Sequence, residues 1–502
     1  MLGGAAMLGV ILLTAPAAAQ TEPAAENKPP LVWAADIEGG APYIFLNPAN
    51  SEEKLGFEVE IAAALAGQMR REIVFQPYAF VNLIQGLQRR DFDLAMNGLE
   101  VLPERRQQIL MSRPYYVYRL QLSVRENETR INSANDLKPG HTVGTLGNTA
   151  AERWLKEHGI EPRVYDNQVD PYRDLALGRT DAVLLDLPIA LYYGQNEAAI
   201  PHAQPIRGVR FAGPPIARGY YSIGVSNDRP ELVEEINKAL DAMIADGSLQ
   251  RILERWQLWN PDQELLPQAR LDDLGAATER RGYAFREYFP QLWAGAVLTV
   301  KLSVASMALA VALGLPIAMM RLYGGWPLRW LATVYVEFFR GIPVLLLLYF
   351  LYFGLPSLSQ TYGFPWELKL SPFAAGLLGF GINYAAYEAE IYRAGLSAIP
   401  QGQWEAAASL GMTKWQTFWR IILPQAVRII LPPMTNDFVA LFKDTSVVSV
   451  IAVVELTKQY SKLANHTGQH VEIGLTAAAL YLAMSVPLAM LARMLERRWT
   501  SR

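Results

Sequence analysis

The chain has 502 residues, a formal net charge of −3 and no cysteine. A near-neutral balance with no basic face or RNA-binding signature argues against a nucleic-acid partner, and the missing thiols exclude disulfides, cysteine-ligated zinc, iron–sulfur clusters and thiol catalysis. Length allows two or three domains, and composition divides them: 31–286 read as a charged globular chain, whereas 292–495 are mostly apolar.

In chain order, the first segment is MLGGAAMLGVILLTAPAAAQ, an apolar run ending in Ala17-Ala18-Ala19 before Gln20. The A-x-A pattern and the short apolar core predict a secretory signal over 1–19, although no Lys or Arg precedes the core. The run is too short for a comfortable membrane span. From 31 to 260, short β-rich runs (Leu31–Ala35, Ile73–Gln76, Gln121–Val124, Thr142–Thr145, Ala182–Leu185) alternate with helical stretches (Glu58–Met69, Leu83–Arg89, Ala150–His158, Glu231–Ala245). That alternation predicts an α/β domain with mainly parallel sheets, in which ligands bind beyond the carboxyl ends of strands. Residues 261–290, polar and carrying Pro261, Pro267 and Pro290, read as a linker.

Motifs within 31–260 carry a resemblance. GFEVEIAAALA at 56–66, LIQGLQRRDFDLAMNGLEVLPERRQQILMSRPYY at 83–116, TVGTLGNTA at 142–150, LALGRTDAVLLD at 175–186 and DGSLQRILERW at 246–256 occur in the order found in polar amino-acid-binding proteins, the two-lobed type II periplasmic binding proteins. The resemblance implies that Arg105 binds the carboxylate of an amino acid and Asp186 its ammonium. Gly98 fits the family's backbone contact and Phe80 the aromatic wall. An amino-acid carboxylate calls for a bidentate guanidinium and backbone N–H groups at a helix start. Gly147, Asn148 and Thr149 lie where a strand turns into a helix, so their amides are expected to complete the clamp. The chain departs from the pattern at Glu100 and Leu102, where the family keeps threonines, and at Gly39-Gly40, where an aromatic often stands. Glu100 either faces the ligand and favours basic or neutral polar solutes, or pairs with Arg105 or another basic residue and never touches it.

Residues 291–495 contain five apolar segments, near 293–320, 330–355, 370–392, 425–454 and 473–493. Each is long enough to cross about 30 Å of hydrocarbon, which predicts an all-α domain of five transmembrane helices. Arg321 and Arg329, then Arg393, Lys414 and Arg420, then Arg497, Arg498 and Arg502 fall on one side of such a topology. The positive-inside rule makes that side cytoplasmic and puts the amino-terminal domain outside. Glu388, Glu390 and Arg393 lie at one end of the third span, with spacing that permits a Glu390–Arg393 pair.

EAAASLGMTKWQTFWRIILP at 405–424 satisfies E-A-A-x3-G-x9-I-x-L-P without a gap. It resembles the cytoplasmic coupling loop of ABC importer permeases, and VEFFRGIPVLLLLYFLYFGLP at 336–356 and LFKDTSVVSVIAVVEL at 441–456 resemble their polar amino-acid branch. The motif reads as two short helices parted at Gly411. Glu405, Ala406 and Ala407 present a small-residue seat with one charge, and Pro424 precedes the next span. The resemblance implies a non-enzymatic transport subunit of the bacterial inner membrane. It implies docking to a separate ATPase in two copies, a homodimer of this chain, and a polar amino-acid ligand. No G-x-x-x-x-G-K-[ST] occurs, so no cofactor is expected here, and ATP and magnesium belong on the partner. No third ligand accompanies His466 and His470, so no metal site is expected. A ligand-gated receptor or channel built on the same binding fold is the alternative, and the coupling loop argues against it.

Overall fold

The structure, a computed structural model, describes residues 29–38, 40–194, 200–271, 284–362, 369–451 and 453–500. The expected signal segment, Gly39 and residues 272–283 of the expected linker lie outside these.

The amino-terminal half is α/β and two-lobed. One sheet runs in the order Ile73–Pro77, Leu31–Ala35, Leu94–Ala95, Gly224–Val225, Leu110–Met111. Its first three strands are parallel, and Gly224–Val225 is antiparallel to both neighbours. The other runs Val209–Phe211, Tyr116–Arg125, Ala182–Asp186, Val143–Leu146, Arg163–Tyr165, with Ile216–Tyr221 also paired to Tyr116–Arg125. Helices cover both faces, so the Ala182–Asp186 strand is buried at every residue, as strands sandwiched between helices must be. The chain crosses between lobes at Met111–Tyr116 and Tyr221–Gly224. There Tyr221 stacks on Tyr118 and Tyr116 at 4.7 and 5.5 Å between ring centroids. These broad buried rings fix the crossing, and with it where the two strand ends face each other.

Part of the stretch read as linker is packed. Pro261–Leu265 forms a short helix, and buried Gln263 both accepts from the Val117 N–H at 2.9 Å and donates to the Val117 carbonyl at 2.7 Å. Asp262 pairs with Arg119 at 2.6 Å, and Leu266 is buried in the same core. A side-chain amide matches a backbone amide donor for acceptor, and hydropathy alone does not see this.

The carboxyl-terminal half is helical. Phe285–Tyr323 and His470–Met490 are each long and apolar enough to span a membrane, and Trp326–Gly341 with Val344–Leu358 forms a pair bent by 103°. The second apolar segment, read as one span, is therefore broken. Pro343 lacks an N–H, and Ile342 before it is extended (φ −102, ψ 141), as residues preceding proline are. Pro372–Ser397 packs along Phe285–Tyr323 through small residues: Gly314 abuts the backbone of Ala385 and Ala389. Leu423–Asp444 completes the set. The Glu390–Arg393 pair forms at 3.0 Å, and Arg321 joins it at 2.6 Å.

The second lobe is seated on this helical half. Lys458 pairs with Asp166 at 2.5 Å, and Lys462 with Glu161 at 3.3 Å. The Arg179 guanidinium donates to the Tyr352 carbonyl at 2.7 Å and lies 3.9 Å from the centre of its ring.

Candidate functional site

The cleft between the lobes is lined by Tyr43, Phe80, Asn97, Gly98, Glu100 and Asp186 among others. Its floor is set by the Leu94–Ala95 strand and the turn after it. Gly98 has φ +61, and a Cβ there would come within 2.7 Å of the Tyr43 ring, so the turn needs glycine. The Gly98 N–H donates to Glu58 at 2.7 Å, and the Tyr115 hydroxyl donates to the same oxygen at 2.5 Å. Burial pushes the Glu58 carboxyl up to about 8.

Glu100 pairs backbone to backbone with Tyr221, which turns its side chain into the lobe boundary. Its carboxylate accepts from the Ala150 N–H at 2.9 and 3.1 Å. Arg105, on the short Pro103–Arg106 helix, donates to that carboxylate at 3.3 Å, to the Glu100 carbonyl at 3.1 Å and to the Asn148 carbonyl across the cleft at 2.6 Å. Both residues are buried. Burial raises the Glu100 carboxyl above the usual range, and the Arg105 charge holds it partly back. Phe80 lies against the outer side, its ring centre 5.6 Å from the Arg105 guanidinium.

Asp186 stands at the end of its strand and directly precedes the Leu187–Tyr193 helix. Its carboxylate accepts from the Tyr221 hydroxyl, and the Tyr221 and Tyr43 hydroxyls are 2.8 Å apart. Burial, and after it the Glu100 charge, raise the Asp186 carboxyl well above the ordinary carboxylate range.

Phe80, Gly98, Glu100, Thr149 and Asp186 line this cleft, whereas Arg105 and Asn148 meet behind Glu100 and line a neighbouring hollow with Phe80 and Thr149, and Gly147 lines neither. The amides expected to clamp an anion are partly engaged elsewhere. The Gly147 N–H donates to the Tyr165 carbonyl at 3.4 Å, and the Asn148 N–H donates to Glu152 at 2.7 Å. Thr149 instead caps the helix, its hydroxyl accepting from the Glu152 N–H at 3.3 Å. The amide facing the cleft anion belongs to Ala150, which residue type alone does not mark. Sequence reasoning also missed Glu58, Asn97, Tyr43, Tyr221 and Gln168. An acidic residue in the first turn of an apolar helix was the one available sign for Glu58.

The second candidate site is the 401–424 segment. Gln401–Ser409 and Lys414–Thr417 are helices, and Gly411 between them has φ +74. Glu405 and Ala406 are exposed and Ala407 is buried. Pro424 lies in the first turn of Leu423–Asp444. Leu410 and Trp415 are 80% and 70% exposed, an apolar tip suited to a protein partner. Among the described residues, no group of three or more His, Cys, Asp or Glu side chains is placed to hold a metal.

Two family profiles match the chain: bacterial extracellular solute-binding proteins, family 3, over residues 35–258, and binding-protein-dependent transport system inner membrane component over 310–501. A probable amino-acid ABC transporter permease protein of Bacillus subtilis is 37% identical over 213 residues, 42% of this chain and 91% of that protein. The glutamine transport system permease protein of Escherichia coli is 36% identical over 209 residues, covering 42% and 93%. The octopine transport system permease protein of Rhizobium meliloti is 38% identical over 211 residues, covering 42% and 86%. Among solved structures, an ancestral arginine-binding protein bound to glutamine is 29% identical, covering 46% of this chain and 98% of that one, with a TM-score of 0.41.

Proposed function

Because the chain belongs to the permease family of amino-acid ABC transporters and carries a family 3 solute-binding domain on the same polypeptide, we propose that it captures its solute outside the cell and hands it to its own membrane half. The fused binding and permease domains make it an inner-membrane transport protein of families that are not enzymes. In our reading, the binding domain occupies the periplasmic or extracellular side, and the solute is a polar amino acid or an amine-bearing analogue. Asp186 takes the ammonium, Phe80 forms part of the wall, and Gly98 lets the floor approach. Arg105 and Glu100 shape the opposite end. ATP and magnesium are bound by a separate ATPase that seats on the 401–424 segment, with Glu405, Ala406, Ala407 and Gly411 at the contact.

The observation that carries this reading is the exposed pair of short helices bent at Gly411, with Leu410 and Trp415 uncovered. An apolar tip on a loop flanked by Arg393, Lys414 and Arg420 calls for a protein partner on the side where basic loops remain. Docking in cis also suits the fusion. A short linker keeps the binding domain at an effective concentration on the order of mM, so a few ion pairs such as Lys458–Asp166 suffice to guide it.

Each chain has one such segment, and ABC importers work with two ATPases, so the assembly is a homodimer with two binding domains and two ATPase chains. Native mass measurement of the complex purified with its ATPase tests this. Two copies of each chain are expected, whereas one copy paired with a different permease would refute the symmetric assembly.

A further inference from the structure

The cleft already holds a carboxylate where an amino acid would place its own. Glu100 accepts from the Ala150 amide at the start of a helix and faces Arg105, while the remaining Arg105 contacts go to the carbonyls of Glu100 and Asn148. A guanidinium and a helix-terminal amide are the groups that recognise an anion, and here the chain satisfies both itself. A second carboxylate beside Glu100 would sit against a like charge in a site that excludes most water, where repulsion is poorly screened.

What the cleft leaves open points the other way. Among the described residues, the side chains lining the cavity include the carboxylates Asp36, Glu100, Asp166 and Asp186, of which Asp166 also pairs with Lys458, and the nearest cation, Arg105, stands behind Glu100. Gln168, 7% exposed, lines the same cavity with its carbonyl oxygen unpartnered. Buried polar atoms of this kind are normally satisfied, and an acceptor beside Asp186 is what an ammonium needs. The rings of Tyr43 and Phe80 complete the wall, and aromatic faces attract cations.

We infer that the solute is an organic amine without a free carboxylate, the decarboxylated counterpart of a basic amino acid, with Glu100 standing permanently in the place of the missing group. The inference rests on the reading of this cleft as the solute site and narrows its ligand class. Glu100 is then a specificity-determining residue: it fills the anion clamp, joins the two lobes through Ala150, and excludes amino acids by charge.

The test is calorimetric titration of the full chain in nanodiscs with two matched pairs, agmatine against arginine and cadaverine against lysine. The unmodified chain is expected to bind at least one amine more than about tenfold tighter than its amino acid, roughly one unit on a logarithmic affinity scale. Glu100→Thr, which empties the clamp, is expected to reverse that order. Glu100→Gln keeps the size and the hydrogen-bond acceptor, guards against misfolding, and is expected to abolish the bias. Arginine or lysine binding as tightly as its amine to the unmodified chain overturns the inference and leaves the site assignment intact. Binding of none of the four probes also overturns it. Amine binding that Asp186→Asn leaves unchanged would instead refute the assignment of the cleft.

Discussion

Asp186→Asn is the sharpest single perturbation of the cleft. The replacement is nearly isosteric, and its amide oxygen still accepts from the Tyr221 hydroxyl, so the shape of the site is kept and only the charge is lost. Asp186 is 6% exposed, so an ammonium meeting it is largely removed from water. Removing one partner of such a buried charge pair costs about 2–5 kcal/mol, and the lower figure corresponds to about thirtyfold in affinity. The pH dependence adds an independent signature. The groups facing Asp186 are the hydroxyls of Tyr221 and Tyr43, the Glu100 carboxylate and the Arg105 guanidinium. Burial and the Glu100 charge raise the Asp186 carboxyl, so the empty cleft retains a proton above the ordinary carboxylate range. A cationic ligand must displace that proton, so affinity should rise with pH until the empty site is ionised. Calorimetric titration of the full chain in nanodiscs, with the tightest of agmatine, arginine, cadaverine and lysine, measures both effects. Asp186→Asn should weaken binding at least about thirtyfold near pH 8 and flatten the pH profile. Equal affinity and an unchanged profile would refute the role of Asp186.

Two further outcomes follow from other parts of the chain. Glu58, pushed up to about 8 from an ordinary 4.5, keeps in the folded state a proton that the unfolded chain releases. Stability should therefore fall as pH rises through that window. Thermal melting of the full chain in detergent should show the fall, Glu58→Gln should reduce it, and an unaltered slope would contradict the assignment. At the seat between the halves, Lys458→Glu should loosen docking by at least about 1 kcal/mol, the upper end for an exposed ion pair, because Lys458 is buried and its charge is reversed, and Lys458→Glu with Asp166→Lys should restore it. Hydrogen–deuterium exchange over 161–170 reads the change, and equal exchange in all three proteins would refute the contact.

The architecture was legible where periodicity and motif order speak. The alternation of short apolar strands and helices in 31–260 and the helix break at Gly411 are properties of local sequence and appear in the structure; of the five apolar segments, two form helices long and apolar enough to span a membrane and the second forms a bent pair. The gathering of Arg105, Asp186 and Glu100 was legible through the resemblance. What escaped depends on which atom meets which. Nothing marks Ala150 as the amide that faces the cleft, because alanine carries no functional group; its position one residue after the capping Thr149 decides it. Gln263 looked like part of a polar linker, yet a side-chain amide can close a backbone ladder as a strand would. The second apolar segment was read as one span, whereas Gly341, the extended Ile342 and Pro343 together turn the chain by 103°. Of the two readings left open for Glu100, its contacts show the pairing with Arg105, while its side chain also lines the cavity.

The proposed transport function requires that one polypeptide both capture the solute and pass it through the membrane under the control of a docked ATPase. The most direct test is ATP-driven uptake of a radiolabelled probe ligand into proteoliposomes holding this chain and its ATPase, compared with the Gly411→Asp variant. Gly411 is exposed, has φ +74, and has open space around the position of a Cβ. Aspartate there strains the turn and adds charge to the docking tip while leaving the binding cleft untouched. Accumulation by the unmodified pair, with uptake abolished and ligand affinity unchanged in the variant, is the predicted result. Uptake that needs no ATPase, or that proceeds undiminished with Gly411→Asp, would contradict the claim.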